Sequence, residues 1–481
     1  MPSFTMGNLV FIVPEIIVAG IAMAVLLLDL FVRPERKYLL GYFSLAGLGA
    51  AAYQTWLLSG TQAVGFSGMF VLDGYATFFK FIFYIAAALA ILISINYLKL
   101  EKIEKGEYYG LVLFATCGMM IMASGFDLIS IYLGLELMAL SVYILAGFMR
   151  KSLRSNEAAL KYFLLGAFSS GILLYGIAIT FGVTGTTNLS EIAAFIGAGV
   201  YSRPALILAM ILLVAGFGFK VAAVPFHMWA PDVYEGAPTS VTAFMSVGPK
   251  AAGFAAFLRV FTVAFPAIQP DWTLIISALA ILSMLIGNVV AISQTNIKRM
   301  LAYSSIAHAG YALVGFVAAG PEGVSSVMLY LLIYTFMNVG AFGMVIMLRR
   351  SGVSGENIED FAGLSKKNKM AALVMLVFMF SLAGIPPTAG FVGKFYIFMA
   401  ALNAGFLWLA VISVIMSVVS AFFYLRVVLV MYMKEPETET ELSTSFPIKL
   451  AMAVAVYAVL YIGMDPHRVL DLAVSSVAGL L

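Results

Sequence analysis

PALILAMILLVAGFGFKVAAVPFHMWA, residues 204–230, is an apolar run of membrane-crossing length that carries a lysine, Lys220, and a proline, Pro225, inside it. A helix needs about 20 apolar residues to cross hydrocarbon. Proline removes a backbone donor and its ring clashes with the preceding turn, so this helix should break at Pro225. Broken backbone at membrane depth is tolerated only where it is buried in protein or lines a wet cavity. An ammonium facing lipid there costs about 2.5–3.5 kcal/mol on insertion scales, so Lys220 must face protein or water. The stretch reads as an interrupted spanning helix with a functional charge beside the interruption.

The rest of the chain is built the same way. Of its 481 residues 63% are hydrophobic and 11% charged, and the mean hydropathy is +1.03. That composition defines a polytopic integral membrane protein, read as all-α from its spans, and leaves no surface for a soluble body. Spans of the right length fall at about 8–31, 38–59, 74–97, 108–124, 127–148, 156–182, 204–230, 239–265, 272–292, 301–319, 324–348, 369–402, 405–433 and 447–464, fourteen in all. The first contains Glu15 and no cleavage site follows it, so it reads as a retained helix rather than a signal peptide. The segment from Thr184 to Ser202 is too short to span and reads as an interfacial connection. The twelfth span, like the seventh, is interrupted: AGIPPTAGFVGK (383–394) puts Pro386 and Pro387 next to Lys394. A shift of 168 residues superimposes Tyr143, Gly147, Phe148 and Tyr162 on Tyr311, Gly315, Phe316 and Tyr330. A repeat displaced by five helices has inverted topology.

The charges divide by side. Loops carrying Arg33, Arg36, Lys37; Lys99, Lys102, Lys105; Arg150, Lys151, Arg154; Lys298, Arg299; Arg349, Arg350, Lys366, Lys367, Lys369; and Lys434 fall on one face if the helices alternate. The other face holds only Arg203 and Arg468. The positive-inside rule then places both termini outside and the basic loops in the cytoplasm, so a cysteine at Ser354 should be shielded from external reagents. The net charge of +3 gives no reason to expect nucleic acid, and the lone Cys117 excludes an internal disulfide or a multi-cysteine cluster. His227, His308 and His467 lie far apart, with no HExxH, GxxxxGK[ST] or GxGxxG, so no metal or nucleotide site is indicated.

Chemistry therefore rests on charges inside spans: Glu136, Lys161, Lys220, Lys250 and Lys394. Burial disfavours the charged form of a lysine and a nearby carboxylate restores it, so Glu136 and Lys220 could form a switchable proton carrier or a fixed ion pair. Lys250 lies mid-helix behind Pro249 and cannot snorkel. For Lys161, near the basic end of its helix, snorkelling and proton transfer are both open. His227 and His308 are candidate relays, because imidazole donates and accepts near neutral pH. Lys80, Arg259 and Arg426 read as interface anchors or partner contacts. The four groups Glu136, Lys220, Lys250 and Lys394 are expected to form one file near mid-bilayer.

The stretches KVAAVPFHMWAPDVYEGAPTS (220–240), QTNIKRMLAYSSIAHAGY (294–311) and GIPPTAGFVGKFYIF (384–398), with Pro14-Glu15 and GLELMALSVYILAGF around Glu136, resemble the antiporter-like subunits of respiratory complex I. Lys394, where M-type sisters typically have glutamate, and the absence of an L-type C-terminal extension make the N type the nearest. The resemblance implies fourteen helices with two inverted five-helix repeats, helices 4–8 and 9–13, of which helices 7 and 12 are broken. It divides the chain at 1–107, 108–265, 266–433 and 434–481. It implies that Glu136 and Lys220 are the helix 5 and helix 7 pair, Lys250 the central lysine and Lys394 the distal one, with His227 on a hydrated axis. It further implies a proton-translocating role in an NADH:quinone oxidoreductase of a bacterial cytoplasmic membrane, lipid contact, and K and M subunits as neighbours. NADH, flavin, iron–sulfur clusters and quinone would belong to partners, with no cofactor here. A sodium–proton antiporter of the related kind is the alternative.

Overall fold

A computed structural model describes residues 6–199, 201–349, 355–435 and 442–480. Arg350 and Ser354 lie outside them. The chain is helical nearly throughout: α1 Val13–Asp29, α2 Tyr38–Leu57, α3 Gly74–Leu100, α4 Glu107–Ser124, α5 Leu128–Ala146, α6 Leu153–Thr184, α7 Leu189–Gly197, α8 Arg203–Lys220, α9 Trp229–Gly236 and α10 Thr239–Arg259. Then come α11 Gln269–Ser293, α12 Ile297–Ala318, α13 Gly320–Leu348, α14 Leu364–Lys367, α15 Lys369–Ala383, α16 Ala389–Asn403, α17 Leu407–Met433, α18 Phe446–Met464 and α19 His467–Val477. Twelve helices among the described residues are long and apolar enough to cross a membrane. The interrupted pair α15/α16 and the less apolar α2 complete the expected fourteen spans, with α8 and α9 counted as one. A two-stranded hairpin, β1 Ala63–Gly65 and β2 Phe70–Leu72, joins α2 to α3.

Both predicted breaks are present. Residues 221–228 separate α8 from α9, and 384–388 separate α15 from α16. The freed backbone groups find partners inside the protein: Val224 N donates to Ser283 Oγ at 2.9 Å, and the Trp229 indole donates to the Phe219 carbonyl at 3.0 Å. In the second break Gly384 ends α15 in the left-handed conformation, φ 86°, and a Cβ there would press on Lys394 Cδ at 3.0 Å, so glycine serves both the turn and the close approach.

The repeat is visible in the backbone. Asp127 bridges to Asn188, and Asn296 bridges to Asn357. Leu128 N donates to Thr187 O at 2.9 Å, and Ile297 N to Glu356 O at 2.7 Å. Helix packing follows the same rule. A Cβ at Gly118 would meet Met138 N at 2.5 Å and Gly134 O at 2.6 Å, and one at Gly287 would meet Ala307 N at 2.6 Å and Tyr303 O at 2.8 Å. Each of these pairs is related by 169 residues, one more than the shift that superimposes the four sequence identities. On this register Glu136 corresponds to Ser305 and Met119 to Asn288.

The N-terminal helices are fastened to the first repeat by a buried ion pair. Arg259 of α10 donates to both carboxylate oxygens of Asp73, at 2.8 and 3.0 Å, and its Nε donates to Ala123 O of α4 at 3.0 Å. The Asp73 carboxylate also caps α3 through Ala76 N at 2.7 Å. Lys80 of α3 lies 2.6 Å from Glu15 of α1, and neither group is exposed. Lys80 and Arg259 are therefore interior ion-pair partners, which corrects their reading as interface anchors. Apolar neighbours on both sides of their helices hid this in the sequence. The tail after α18 forms α19, which packs on α3 and α13.

Candidate functional site

Lys220 is the last residue of α8, at the edge of the first break, and is buried. Its Nζ donates to the Tyr143 hydroxyl at 3.3 Å and lies 5.7 Å from the centre of that ring. Tyr143 sits two turns beyond Glu136 on α5, hence on the same face. Glu136 acts on Lys220 electrostatically, yet no ion pair between the two is found among the described residues. The Lys220 ammonium is bonded to a phenol instead, and Glu136 Oε1 is buried without a hydrogen-bond partner. The fixed-pair reading is thus not the geometry found.

Lys250 lies one helical turn from Gly253, where a side chain would meet Lys220 Cβ at 3.5 Å, so the two lysines share one side of α10. Lys250 Nζ turns to α12 and donates to Ser305 O at 2.7 Å and Ser305 Oγ at 2.5 Å. No carboxylate pairs with it among the described residues. From Ser305 the helix carries the site onward, because Ser305, His308 and Tyr311 recur every three residues and share a face. His308 Nδ1 meets the Tyr330 hydroxyl at 2.5 Å and its Nε2 the Tyr424 hydroxyl at 3.0 Å. Tyr424 in turn bonds Ser304. An imidazole with a hydroxyl on each nitrogen can accept a proton on one side and release it on the other. Lys250 and Lys394 both act on it electrostatically.

Lys394, on α16 just past the second break, closes the row. Its three N–H groups go to Leu382 O at 3.1 Å, Ala383 O at 2.9 Å and Ser417 Oγ at 2.9 Å, and Nζ lies 4.9 Å from the centre of the Tyr311 ring. Leu382 and Ala383 end α15, so the ammonium sits on the carbonyl end of a half-helix, where a cation is favoured. Ser305 and Tyr311 are six residues apart, about 9 Å along α12. One helix face thereby links Lys250 to Lys394.

The remaining candidates lie apart from this row. Lys161, 43% exposed, pairs with Glu157 and Asp232 at 2.8 Å each. It lines an open cavity of about 230 Å³ that Arg299 shares, itself paired with Asp232 and Glu235 at 2.9 Å each. His227 is buried within the first break, and its Nδ1 has no hydrogen-bond partner. Arg426 caps the end of α11 through Ile292 O at 2.7 Å and Gln294 O. Sequence reasoning missed Ser305, Tyr424 and Ser417, because a hydroxyl inside an apolar helix carries no spacing signal. Tyr143, Tyr311 and Tyr330 had one, as members of the internal repeat. Among the described residues no cluster of histidine, cysteine and acidic groups could hold a metal.

Fourteen spans with two broken helices, enclosing a row of buried lysines, define the class of antiporter-like ion-translocating membrane subunits. The profile of the family described as NADH:quinone oxidoreductase/Mrp antiporter, TM, matches residues 125–420. Subunit N of the NADH-quinone oxidoreductase of Trichlorobacter lovleyi is 53% identical over 89% of this chain and 88% of its own. A Rhizobium meliloti subunit N is 52% identical over 97% of both. A chain of respiratory complex I from Thermus thermophilus superimposes with a TM-score of 0.82 at 34% identity, covering 96% of this chain and 99% of that one. A chain of the Mrp complex from Dietzia sp. shares the fold, with a TM-score of 0.83 at 22% identity over 99% and 98%. The chain belongs to the NADH-quinone oxidoreductase subunit N family.

Proposed function

We propose that this chain carries protons across the membrane as one module of an NADH:quinone oxidoreductase, driven by quinone reduction in other subunits. The observation that supports this most is the row Lys220, Lys250, Ser305, His308, Tyr311 and Lys394, in which buried cations have no carboxylate partner among the described residues. A buried ammonium without a counter-ion is held at a cost, so it readily gives up its proton when a neighbour can take it. Glu136, close to Lys220 but not bonded to it, sets when that lysine is charged. His227 serves the first break and His308 the second half, while Lys161 lies at the entrance rather than in the row. Residues 108–265 and 266–433 act as two inverted half-channels, flanked by 1–107 and 434–481. Flavin, iron–sulfur clusters, NADH and quinone belong to partner subunits, and the immediate neighbours are the K and M subunits.

Two experiments test this. Purified in mild detergent, the tagged chain should bring down quinone-reductase subunits with K and M; recovery with Mrp-type partners alone would favour the sodium–proton antiporter reading. Orientation is read by a cysteine at exposed Lys151 on the basic side, against a background in which Cys117 is buried. We expect that site in intact cells to be inert to an impermeant maleimide and reactive in inverted vesicles, with the protein in a bacterial cytoplasmic membrane and both termini outside. Labelling from outside would reverse the topology.

A further inference from the structure

On the basic side of the protein, the connection between α3 and α4 and the one between α5 and α6 line a cavity of about 570 Å³. Its walls are mostly apolar, with Phe148 and Met149 just past the end of α5, and Lys102, Lys105, Arg150 and Lys151 stand around it. All four cations are exposed. Lys102, Lys105 and Lys151 have no side-chain hydrogen bond or ion pair among the described residues. Arg150 reaches Glu107 only at 3.8 Å, with both groups exposed, and such surface pairs hold weakly. Among the described residues Glu101 is the one acid in the wall, and Arg349 neutralises it through contacts at 2.6 and 3.2 Å. Glu104 of the same connection lies outside the wall.

A second observation, independent of charge, singles out Lys102. It follows the end of α3 with φ 56°, in the left-handed region, where Lys102 N donates to Lys99 O at 3.1 Å and Ile103 N to Leu98 O at 2.9 Å. Glycine is the usual residue in this capping turn, because a Cβ is disfavoured there. Helices α6 and α15 end on such a glycine, Gly185 and Gly384. After α3 the same strained conformation is held by a lysine, and that lysine lines the cavity.

We propose that this cavity binds the headgroup of an anionic phospholipid, with the phosphodiester among Lys102, Lys105, Arg150 and Lys151 and the glycerol and upper acyl chains against Phe148 and Met149. The cavity lies where spanning helices end, hence at the membrane surface, and cations clustered just cytoplasmic of such helices attract anionic lipid. Leu100 and Leu153, each next in sequence to a residue of the wall, are exposed and continue the apolar surface. This site is independent of the proton path and rests only on the basic side facing the cytoplasm.

The test uses the whole complex, stripped of loosely held lipid in mild detergent and given a phosphatidylglycerol that carries a photoactivatable group near its glycerol. Mass spectrometry of the crosslinked complex should find the label on residues 99–105 and 148–153. At subsaturating lipid, Lys102→Gly, Lys105→Gln and Lys151→Gln should each lower that label about fivefold, the worth of one surface cation toward an anionic membrane. Lys102→Gly also relieves the backbone, so loss of label there is not a folding defect. Excess inorganic phosphate should leave the label in place, and the matching phosphatidylcholine should label these residues weakly. Equal labelling by phosphatidylcholine, unchanged labelling in all three variants, displacement by phosphate, or label confined to a partner subunit that covers the cavity would each overturn the proposal.

Discussion

Complexes with Lys250→Met should assemble fully and yet lose at least about a hundredfold of the proton flux through this chain, since a positioned proton-transfer group contributes about 10²–10⁴-fold. Assembly should survive because Lys250 is a buried cation with no carboxylate partner, and methionine fills much of its volume without a charge to desolvate. The Ser305 carbonyl that it engages is part of α12 and keeps its place in the helical ladder. Flux should fail because, among the described residues, Lys250 is the one titratable side chain of α10 bonded to the Ser305–His308–Tyr311 face. Lys394→Arg should also impair transfer while preserving the positive charge, since a guanidinium does not release its proton at these pH values. Flux is measured as acidification of proteoliposomes normalised to subunit content; wild-type flux in Lys250→Met would remove the lysine from the path.

The second large effect is on assembly. Asp73→Ala should collapse the yield of intact complex, because it leaves the Arg259 guanidinium, 0% exposed, without its counter-ion. Breaking a buried pair from one side costs about 3–5 kcal/mol, comparable to a sizeable part of the net stability of many proteins. The same substitution removes the cap of α3. Asp271→Ala is the matched control: its partner Arg203 is 71% exposed, and surface pairs contribute about 0–1 kcal/mol. Subunit content after gentle extraction should fall sharply for the first variant and stay unchanged for the second. Equal yields would mean that the Asp73–Arg259 contact does not fasten the N-terminal helices.

Much of this architecture was legible in the residues. Pro225, Pro386 and Pro387 break helices wherever they stand in a spanning run, and a lysine beside such a break must be inside protein. The repeat was legible through four identities, but their shift of 168 is not the 169 that relates the backbone bridges, so the correspondence of Glu136 with Ser305 needed coordinates. What each lysine touches was not legible. Charge complementarity suggested Glu136 for Lys220, whereas Lys220 bonds the Tyr143 phenol, and Lys250 and Lys394 use serines and carbonyls that have no signature in an apolar helix. The Glu15–Lys80 and Asp73–Arg259 pairs were missed because pairing between distant helices leaves no local pattern. The helix α19 was missed because an 11-residue segment after the last span reads as a tail.

The central claim is that protons pass through this row of lysines, and the proton-to-electron ratio tests it most directly. In reconstituted complexes of verified subunit composition, Lys220→Ala and Lys250→Met should each lower the number of protons moved per quinone reduced, or slow quinone reduction with it where coupling is tight. NADH oxidation by an artificial acceptor that bypasses quinone should stay at the wild-type rate. A wild-type proton-to-electron ratio together with a wild-type rate of quinone reduction in both variants would contradict the account.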